Sequence, residues 1–135
     1  MKTELSKFLE ECGELEPGSP ITIEEIRKAE EQLNLKFADD YIECMLNYGA
    51  MCACGVELIT ATNVSERLNV VYRTLDEKAQ EYNVGIRDDM YLIEDMYIDG
   101  ILCWQDASGA VYVSAPYVEP QKDCDSLLEF FQDSE

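Results

Sequence analysis

The stretch YLIEDMYIDGILCWQDASGAVYVSAP, residues 91–116, carries the strongest fold signal in this chain. It contains three short runs rich in β-branched and aromatic residues, separated by Asp-Gly at 99–100 and by Ala-Ser-Gly at 107–109. Asp-Gly between apolar runs is typical of a two-residue hairpin turn, because both central positions of that turn need a positive φ. A three-residue loop that ends in glycine suits a second hairpin. The stretch therefore predicts a three-stranded antiparallel meander.

The two turns set a register that sorts the side chains onto two faces of the sheet. Counting outward from residues 99–100 places Asp95 opposite Trp104, and counting from the second loop places Trp104 opposite Tyr112. One face is then almost purely apolar and carries Met96, Ile98, Ile101, Cys103, Val111 and Val113. The other face is aromatic and acidic and carries Asp95, Tyr97, Leu102, Trp104, Asp106 and Tyr112.

An antiparallel sheet commonly packs one face against the core and leaves the other partly wet. We therefore expect helices to cover the apolar face, and the aromatic and acidic face to be a binding surface. A register that differs by one residue would reverse this assignment and place Trp104, Tyr97 and Tyr112 in the core. The sequence is consistent with both assignments.

Helical patterns precede the meander. Residues 4–13 repeat apolar side chains at helical intervals. Thr22 and Glu25 form a capping-box pattern, which predicts a helix to about residue 33. Asp39 is expected to cap a second short helix that ends at Gly49.

The remaining elements define the fold class. Residues 51–60 form a β-like run, residues 64–82 predict the longest helix, and a final helix follows Asp123 or Asp125. Strands that cluster, rather than alternate with helices, favour an α+β fold. We predict a single domain over residues 1–135. Its antiparallel sheet combines the three-stranded meander at 90–116 with a strand near 51–60, and helices cover one face.

The charge of the chain limits its partners. Ten Lys and Arg residues stand against 29 Asp and Glu residues, so the net charge is -19 in 135 residues. Solubility alone requires a charge of roughly 2 to 8 in a small domain. Such a surface repels nucleic acid and anionic membranes, and it attracts a basic partner or a cation.

The expected location is cytoplasmic. The first residues alternate charged and apolar side chains, which predicts neither a signal peptide nor a membrane anchor. No window approaches the roughly 20 apolar residues of a spanning helix. The six cysteines are therefore expected to be reduced thiols.

Catalytic patterns are scarce. The chain has no histidine, and it lacks the glycine-rich patterns that bind phosphates. The one catalytic alternative is an enzyme that uses two paired carboxylates. With 29 acidic residues in the chain, however, finding such a pair does not indicate an enzyme. Cys52 and Cys54, two apart in a predicted strand, could bind a soft metal or form a redox pair, or they could be small buried residues. We predict no catalytic residues, no cofactor and no metal site.

The acidic residues near the meander are the candidates for partner binding. They either form a surface for a basic partner or are solvated turn residues. Together with the aromatic residues of the same face they make up the predicted contact set: Glu57, Asp88, Asp89, Glu94, Asp95, Tyr97, Asp99, Trp104, Asp106 and Tyr112.

Three segments carry a resemblance to a known family: ITIEEIRKAEEQLNLKFADDYIECMLNYGA, the meander, and DSLLEFFQ. They resemble the SUKH superfamily of the Smi/Knr type. The positions that match its motifs are Ile23, Ile26, Glu30, Leu33, Asp40, Tyr41, Leu46, Gly100, Asp106, Gly109, Val111, Tyr112, Ser126, Leu127 and Phe130. The chain departs at Phe37-Ala38-Asp39, where Leu-Pro is usual before Asp-Tyr, and at Tyr48-Gly49, where Asn-Gly is usual.

The resemblance implies an α+β domain without catalytic residues. In bacteria such domains mainly serve as immunity proteins, which bind and neutralise a toxin domain, often a nuclease. Eukaryotic relatives regulate cell-wall synthesis through protein contacts. The first hypothesis is therefore a stoichiometric inhibitor of a basic toxin. The second is a regulatory scaffold with another protein partner. The identity of the toxin and the oligomeric state do not follow from the sequence.

Overall fold

The computed structural model describes residues 2–134 and shows an α+β fold. The helices are α1 (Glu4–Glu11), α2 (Ile23–Leu33), α3 (Asp39–Tyr48), a 3-10 turn (Glu66–Leu68), α4 (Val70–Lys78) and α5 (Leu127–Ser134). The strands are β1 (Cys52–Ala53), β2 (Val56–Glu57), β3 (Tyr91–Asp95), β4 (Leu102–Gln105), β5 (Val111–Ala115) and β6 (Val118–Cys124).

The starts of α2 and α3 differ in how well the sequence predicts them. At α2 the Thr22 hydroxyl accepts the Glu25 N–H at 3.2 Å and the Glu25 carboxylate accepts the Thr22 N–H at 3.2 Å, so the capping box is confirmed. At α3 the prediction is wrong, because Ala38 occupies the cap position and makes no side-chain cap hydrogen bond. Asp39 lies in the first turn instead, where a carboxylate is favourable beside the helix dipole.

The prediction of one long helix at residues 64–82 is wrong. Asn69 has an extended backbone, with φ -89° and ψ 119°, and its side chain accepts the Tyr72 N–H at 2.9 Å. This cap fixes the start of α4 at Val70, and the helix ends at Lys78. Two positions of the predicted apolar stripe are exposed: Val64, which lies before α4, at 91%, and Leu75, within α4, at 52%. The local cap overrides the apolar periodicity.

The main sheet has four antiparallel strands in the order β3-β4-β5-β6, so the predicted meander is confirmed and β6 extends it. The run at 51–60 does not join this sheet as a strand, since β1 and β2 form a separate hairpin. Residues just beyond β2 lie along the edge of β3, where the Ile59 N–H donates to the Ile93 carbonyl at 2.8 Å. Cys54 lies in the β1–β2 turn with φ 54°, so it does not share a strand face with Cys52.

The register between β4 and β5 is as predicted, with Trp104 opposite Tyr112. The register between β3 and β4 differs from the predicted one, because Asp95 lies opposite Leu102 rather than Trp104. The tight turn itself forms, with φ 53° at Asp99 and 70° at Gly100. The ladder is interrupted just before it, where Tyr97 has φ 56°. A second irregularity lies between Leu92 and Glu94.

The face that carries Trp104 is buried rather than open. All four residues of β4 are buried, on both faces of the sheet. Helix α4 packs beside the edge strand β3, and its Thr74 hydroxyl accepts the Leu92 N–H at 3.0 Å. Arg87 covers part of the Trp104 face, with its guanidinium carbon 4.9 Å from the centre of the Tyr112 ring. Both faces of β4 are therefore covered, and Arg87 contributes to the cover on the Trp104 face.

Within residues 2–134, every helix falls short of the length and apolar character that a membrane span requires.

Replacing Trp104 tests this burial. Trp104 is fully buried, and its indole N–H donates to the Ser114 hydroxyl at 2.9 Å. Trp104→Ala should lower the free energy of unfolding by about 3–5 kcal/mol, because it opens a cavity and leaves Ser114 unpaired. Urea unfolding followed by far-ultraviolet circular dichroism measures the change. Val64→Ala, at a side chain that is 91% exposed, is the control and should change stability by less than about 0.5 kcal/mol. Equal effects of the two variants would contradict the assignment of Trp104 to the core.

Candidate partner-binding surface

The predicted contact residues do not form one surface. Asp95 ends β3 and Asp106 follows β4, and these antiparallel strands place the two carboxylates at opposite ends of the sheet. The four residues of β4 span roughly 13 Å between these ends, at about 3.3 Å a residue. Six of the ten predicted residues therefore divide into two clusters, each organised by arginine.

The first cluster lies where β3 ends, and we call it the hairpin-end cluster: Glu57, Arg67, Arg73, Asp95 and Tyr97. Arg67 pairs with Glu57 at 2.6 Å, and Arg73 pairs with Asp95 at 2.6 Å. The Tyr97 hydroxyl lies 3.4 Å from one guanidinium nitrogen of each arginine. Its side chain is 61% exposed, so the aromatic ring remains available to a partner.

The two arginines of the hairpin-end cluster differ in burial. Arg73 is only 7% exposed and also donates to the Arg67 carbonyl at 2.9 Å, so it positions the segment before α4. Arg67 is exposed, and its hydrogen bonds to Glu57 and Tyr97 raise the pKa of its guanidinium. Each carboxylate of this cluster already has a cationic partner. The predicted acid Asp99, in the adjoining loop, is exposed and forms no ion pair with another residue of the described chain.

The second cluster lies at the other end of the sheet, and we call it the Arg87 cluster: Arg87, Asp89, Asp106, Ser108 and Tyr112. Arg87 pairs with both Asp89 and Asp106. Asp106 also accepts the Tyr112 hydroxyl at 2.8 Å and the Ser108 N–H at 3.0 Å. Burial opposes ionisation of Asp106, but the hydrogen bonds from Ser108 and Tyr112 outweigh it and lower the pKa of the carboxyl.

The contacts of the Arg87 cluster thus hold the loop after β4 in place and leave little of Asp106 open to a partner. Asp106 is 6% exposed and its carboxylate already has donors. Asp88, which precedes this cluster's Asp89, has an exposed side chain, and its carbonyl accepts the Lys78 ammonium at 3.0 Å.

Trp104 and Glu94 lie in the core of the sheet. Trp104 has no exposed surface, so its assignment to an open face is corrected. Glu94 is 9% exposed, and its carboxylate accepts the Cys103 thiol at 3.7 Å. Burial, reinforced by the neighbouring charge of Asp95, raises the pKa of Glu94 to about 7.

Sequence reasoning missed the arginines and several exposed apolar side chains. Arg67 and Arg73 lie within the segment that the sequence predicts as a long helix, and no local pattern pairs them with Glu57 and Asp95. The predicted register puts Met96 and Ile98 on the covered face, but they are 47% and 57% exposed. The positive φ of Tyr97, which turns this loop outward, has no signature in the sequence.

Two further places, a surface groove and a group of possible metal ligands, offer little support for a functional site. A groove of about 490 Å³ lies between α2 and α4, and none of the predicted contact residues lines it. Within the described chain, one group of potential metal ligands, Asp123, Cys124 and Asp133, has atoms within 4.8 Å of one another. Burial raises the pKa of the Cys124 thiol to about 11, which disfavours the thiolate that a metal would need.

Comparison with known protein families matches residues 23–131 to the family described as SMI1-KNR4 cell-wall, SUKH_6. The matched region runs from the first residue of α2 into α5 and includes both arginine-centred clusters. A search of curated proteins finds no match.

The buried Glu94 predicts a pH-dependent stability. The ordinary pKa of 4.5 rises to about 7 in the folded protein, so the folded state binds this proton more tightly than the unfolded chain. The stability that this proton provides is lost as the pH rises from about 4.5 to about 7. Glu94→Gln should therefore raise the free energy of unfolding at pH 8, by at most about 3 kcal/mol, and should change little below pH 4.5.

Urea unfolding across this pH range measures the difference between Glu94→Gln and the unmodified protein. Asp99→Asn, at an exposed carboxylate, is the matched control and should show no such pH dependence. If Glu94→Gln raised the free energy of unfolding by the same amount at every pH, the titration of Glu94 could not be the cause.

Proposed function

The chain belongs to the SMI1-KNR4 cell-wall family, SUKH_6, and from this we propose that it is an immunity protein that neutralises a basic toxin domain. Neutralisation would be stoichiometric, through protein contact and without turnover. The family resemblance supports this role, since bacterial members of the SUKH superfamily mainly serve as immunity proteins. The toxin, its activity and a cytoplasmic site of action are parts of the proposal.

The observation that carries the proposal is the hairpin-end cluster in a chain of net charge -19. Tyr97 is exposed there, and two arginines orient its hydroxyl. Exposed tyrosines that are already fixed lose little conformational freedom on binding, and they are frequent hot spots of interfaces. The net negative charge of the whole chain would accelerate the encounter with a basic toxin.

Fast association suits an inhibitor of a toxin made in the same cell. Electrostatic steering raises association rates to about 10⁸–10⁹ M⁻¹s⁻¹ at low salt, from about 10⁵–10⁶ for neutral surfaces. The same charge disfavours nucleic acid and anionic lipid as partners.

A second function is favoured by the family's description, which refers to the cell wall. The chain could act as a regulatory scaffold that binds a cellular protein unrelated to toxins. Both functions use protein contact, so the identity of the partner distinguishes them. An immunity gene is expected beside a toxin gene, whereas a scaffold gene has no such neighbour.

Capture of the partner tests the function. The tagged full chain is incubated with a lysate of its source cells at low salt and at about 0.5 M salt, where screening shortens electrostatic interactions to a few ångströms. The immunity function predicts one basic protein that is retained at low salt and lost at high salt, and whose expression alone stops growth. Co-expression of the chain should restore growth. A retained partner that is neither basic nor toxic would favour the scaffold.

Charge reversal at Asp99 tests the position of the contact. Asp99→Lys should slow association with the captured partner about tenfold at low salt, because Asp99 lies beside the hairpin-end cluster and has no ion pair to lose. Asp88→Lys makes the same charge change at the other end of the sheet, and it should slow association about twofold. Stopped-flow or surface-plasmon association rates at two salt concentrations measure both effects. Equal slowing by both variants would indicate general steering without a contact at the hairpin end.

A further inference from the structure

Five large apolar side chains are exposed at one end of the main sheet. Three lie in the loop between β3 and β4, and two lie at the turn from β5 into β6. We call them the hairpin-tip patch: Met96, Tyr97, Ile98, Tyr117 and Val118. Their exposed fractions range from 47% to 72%, and contiguous exposed apolar residues often mark interaction sites.

The two hairpin tips form one surface. The β3–β4 loop and the β5–β6 turn lie at the same end of the sheet, because the strands alternate in direction. Gly100 lies so close to the second tip that a Cβ atom there would be 2.7 Å from the Pro116 side chain. The tips therefore pack against each other at Gly100 and Pro116, and their apolar side chains remain outside this contact.

A hydrogen bond from a backbone N–H anchors each tip of the patch. The Tyr97 N–H donates to the Asp95 carboxylate at 2.8 Å, and the Tyr117 N–H donates to the Tyr82 carbonyl at 2.7 Å. Tyr97 and Tyr117 have φ 56° and 62°, a region that residues other than glycine rarely adopt. Strained backbone of this kind persists only where surrounding contacts hold it, and it clusters at functional sites.

Two carboxylates without an ion pair adjoin the patch in the sequence, whereas the arginines beside Tyr97 are already paired with Glu57 and Asp95. Asp99 directly follows Ile98 in the first loop, and Glu119 directly follows Val118 in β6. Both are exposed, and neither forms an ion pair within residues 2–134. A second copy of the chain would bring another charge of -19 against this patch, and an anionic membrane would repel it as well.

We propose that the hairpin-tip patch docks into an apolar depression of a protein partner, and that lysines or arginines at the rim of the depression pair with Asp99 and Glu119. One part of this inference rests on the proposed function, namely that the partner is a toxin domain. The place and chemistry of the contact rest on the exposed apolar side chains, their fixed backbone and the two unpaired carboxylates. The apolar side chains would supply affinity, and the carboxylates would set orientation.

Photo-crosslinking of the full chain in its source cells tests this contact and identifies the partner in the same experiment. A benzophenone-bearing phenylalanine replaces Ile98 in one variant and Tyr117 in a second. In the control it replaces Leu46, which is 40% exposed on α3. The proposal predicts an adduct from both hairpin-tip positions and none from the control. The cross-linked segment of the partner should contain apolar residues flanked by lysine or arginine.

A second set of variants tests the chemistry of the contact. Ile98→Asp and Tyr117→Asp should each lower the affinity for the cross-linked partner at least tenfold, and Leu46→Asp should leave it within twofold. The fold should survive, since all three side chains are exposed and aspartate tolerates the positive φ of Tyr117. Circular dichroism checks this before binding is measured.

Several outcomes would overturn the proposal: no adduct from either tip, equal adducts from Leu46, an acidic cross-linked segment, or an adduct of two copies of this chain. Its failure is distinguishable from that of the proposed function. A basic adduct that is not toxic would contradict the immunity role and support the patch. A toxic partner that still binds Ile98→Asp and Tyr117→Asp at full affinity would support the role and contradict the patch.

Discussion

The Trp104 indole donates its N–H to the Ser114 hydroxyl in a site from which water is excluded, and this bond joins β4 to β5 on one face of the sheet. On the other face Gln105 accepts the Tyr91 hydroxyl and donates to Asp40 and to the Gly109 carbonyl. Strand β4 is therefore fixed from both sides. A buried polar group without its partner costs about 1–3 kcal/mol, so these bonds specify one arrangement of the strands.

Asp40 extends this arrangement to the helices. Its carboxylate accepts the Leu127 N–H at 2.9 Å as well as the Gln105 amide, so one side chain of α3 holds the first residue of α5 and the end of β4. Burial raises the pKa of Asp40, although these hydrogen bonds oppose the shift. The carboxylate is thus committed to the fold, and it is not available to a partner.

The two ends of the sheet differ in their polar contacts. At the end near Asp106, arginine, serine and tyrosine satisfy the carboxylate, and the loop is tied to the strands. At the opposite end the polar bonds involve mostly backbone, Asp95 and the two arginines, so apolar side chains such as Ile98 and Tyr117 remain outside. A protein contact at this end would bury apolar area on a surface that is already ordered, which reduces the entropy lost on binding.

The sequence by itself determined the features that depend on neighbouring residues. The capping box at Thr22, the turn at residues 99–100 and the pairing of Trp104 with Tyr112 were all predicted correctly, because each depends on residues within about ten positions of one another. The α+β class and the acidic character follow from the order of the elements and from composition. The tertiary structure alone decided which surfaces are exposed.

Tertiary packing placed α4 beside β3 and buried Trp104. It paired Arg73 with Asp95 across 22 positions of the chain. It also turned Ile98 outward at the irregular backbone of Tyr97. Alternation along a strand specifies which side chains share a face, but what covers each face depends on elements distant in sequence, whose packing no local pattern encodes.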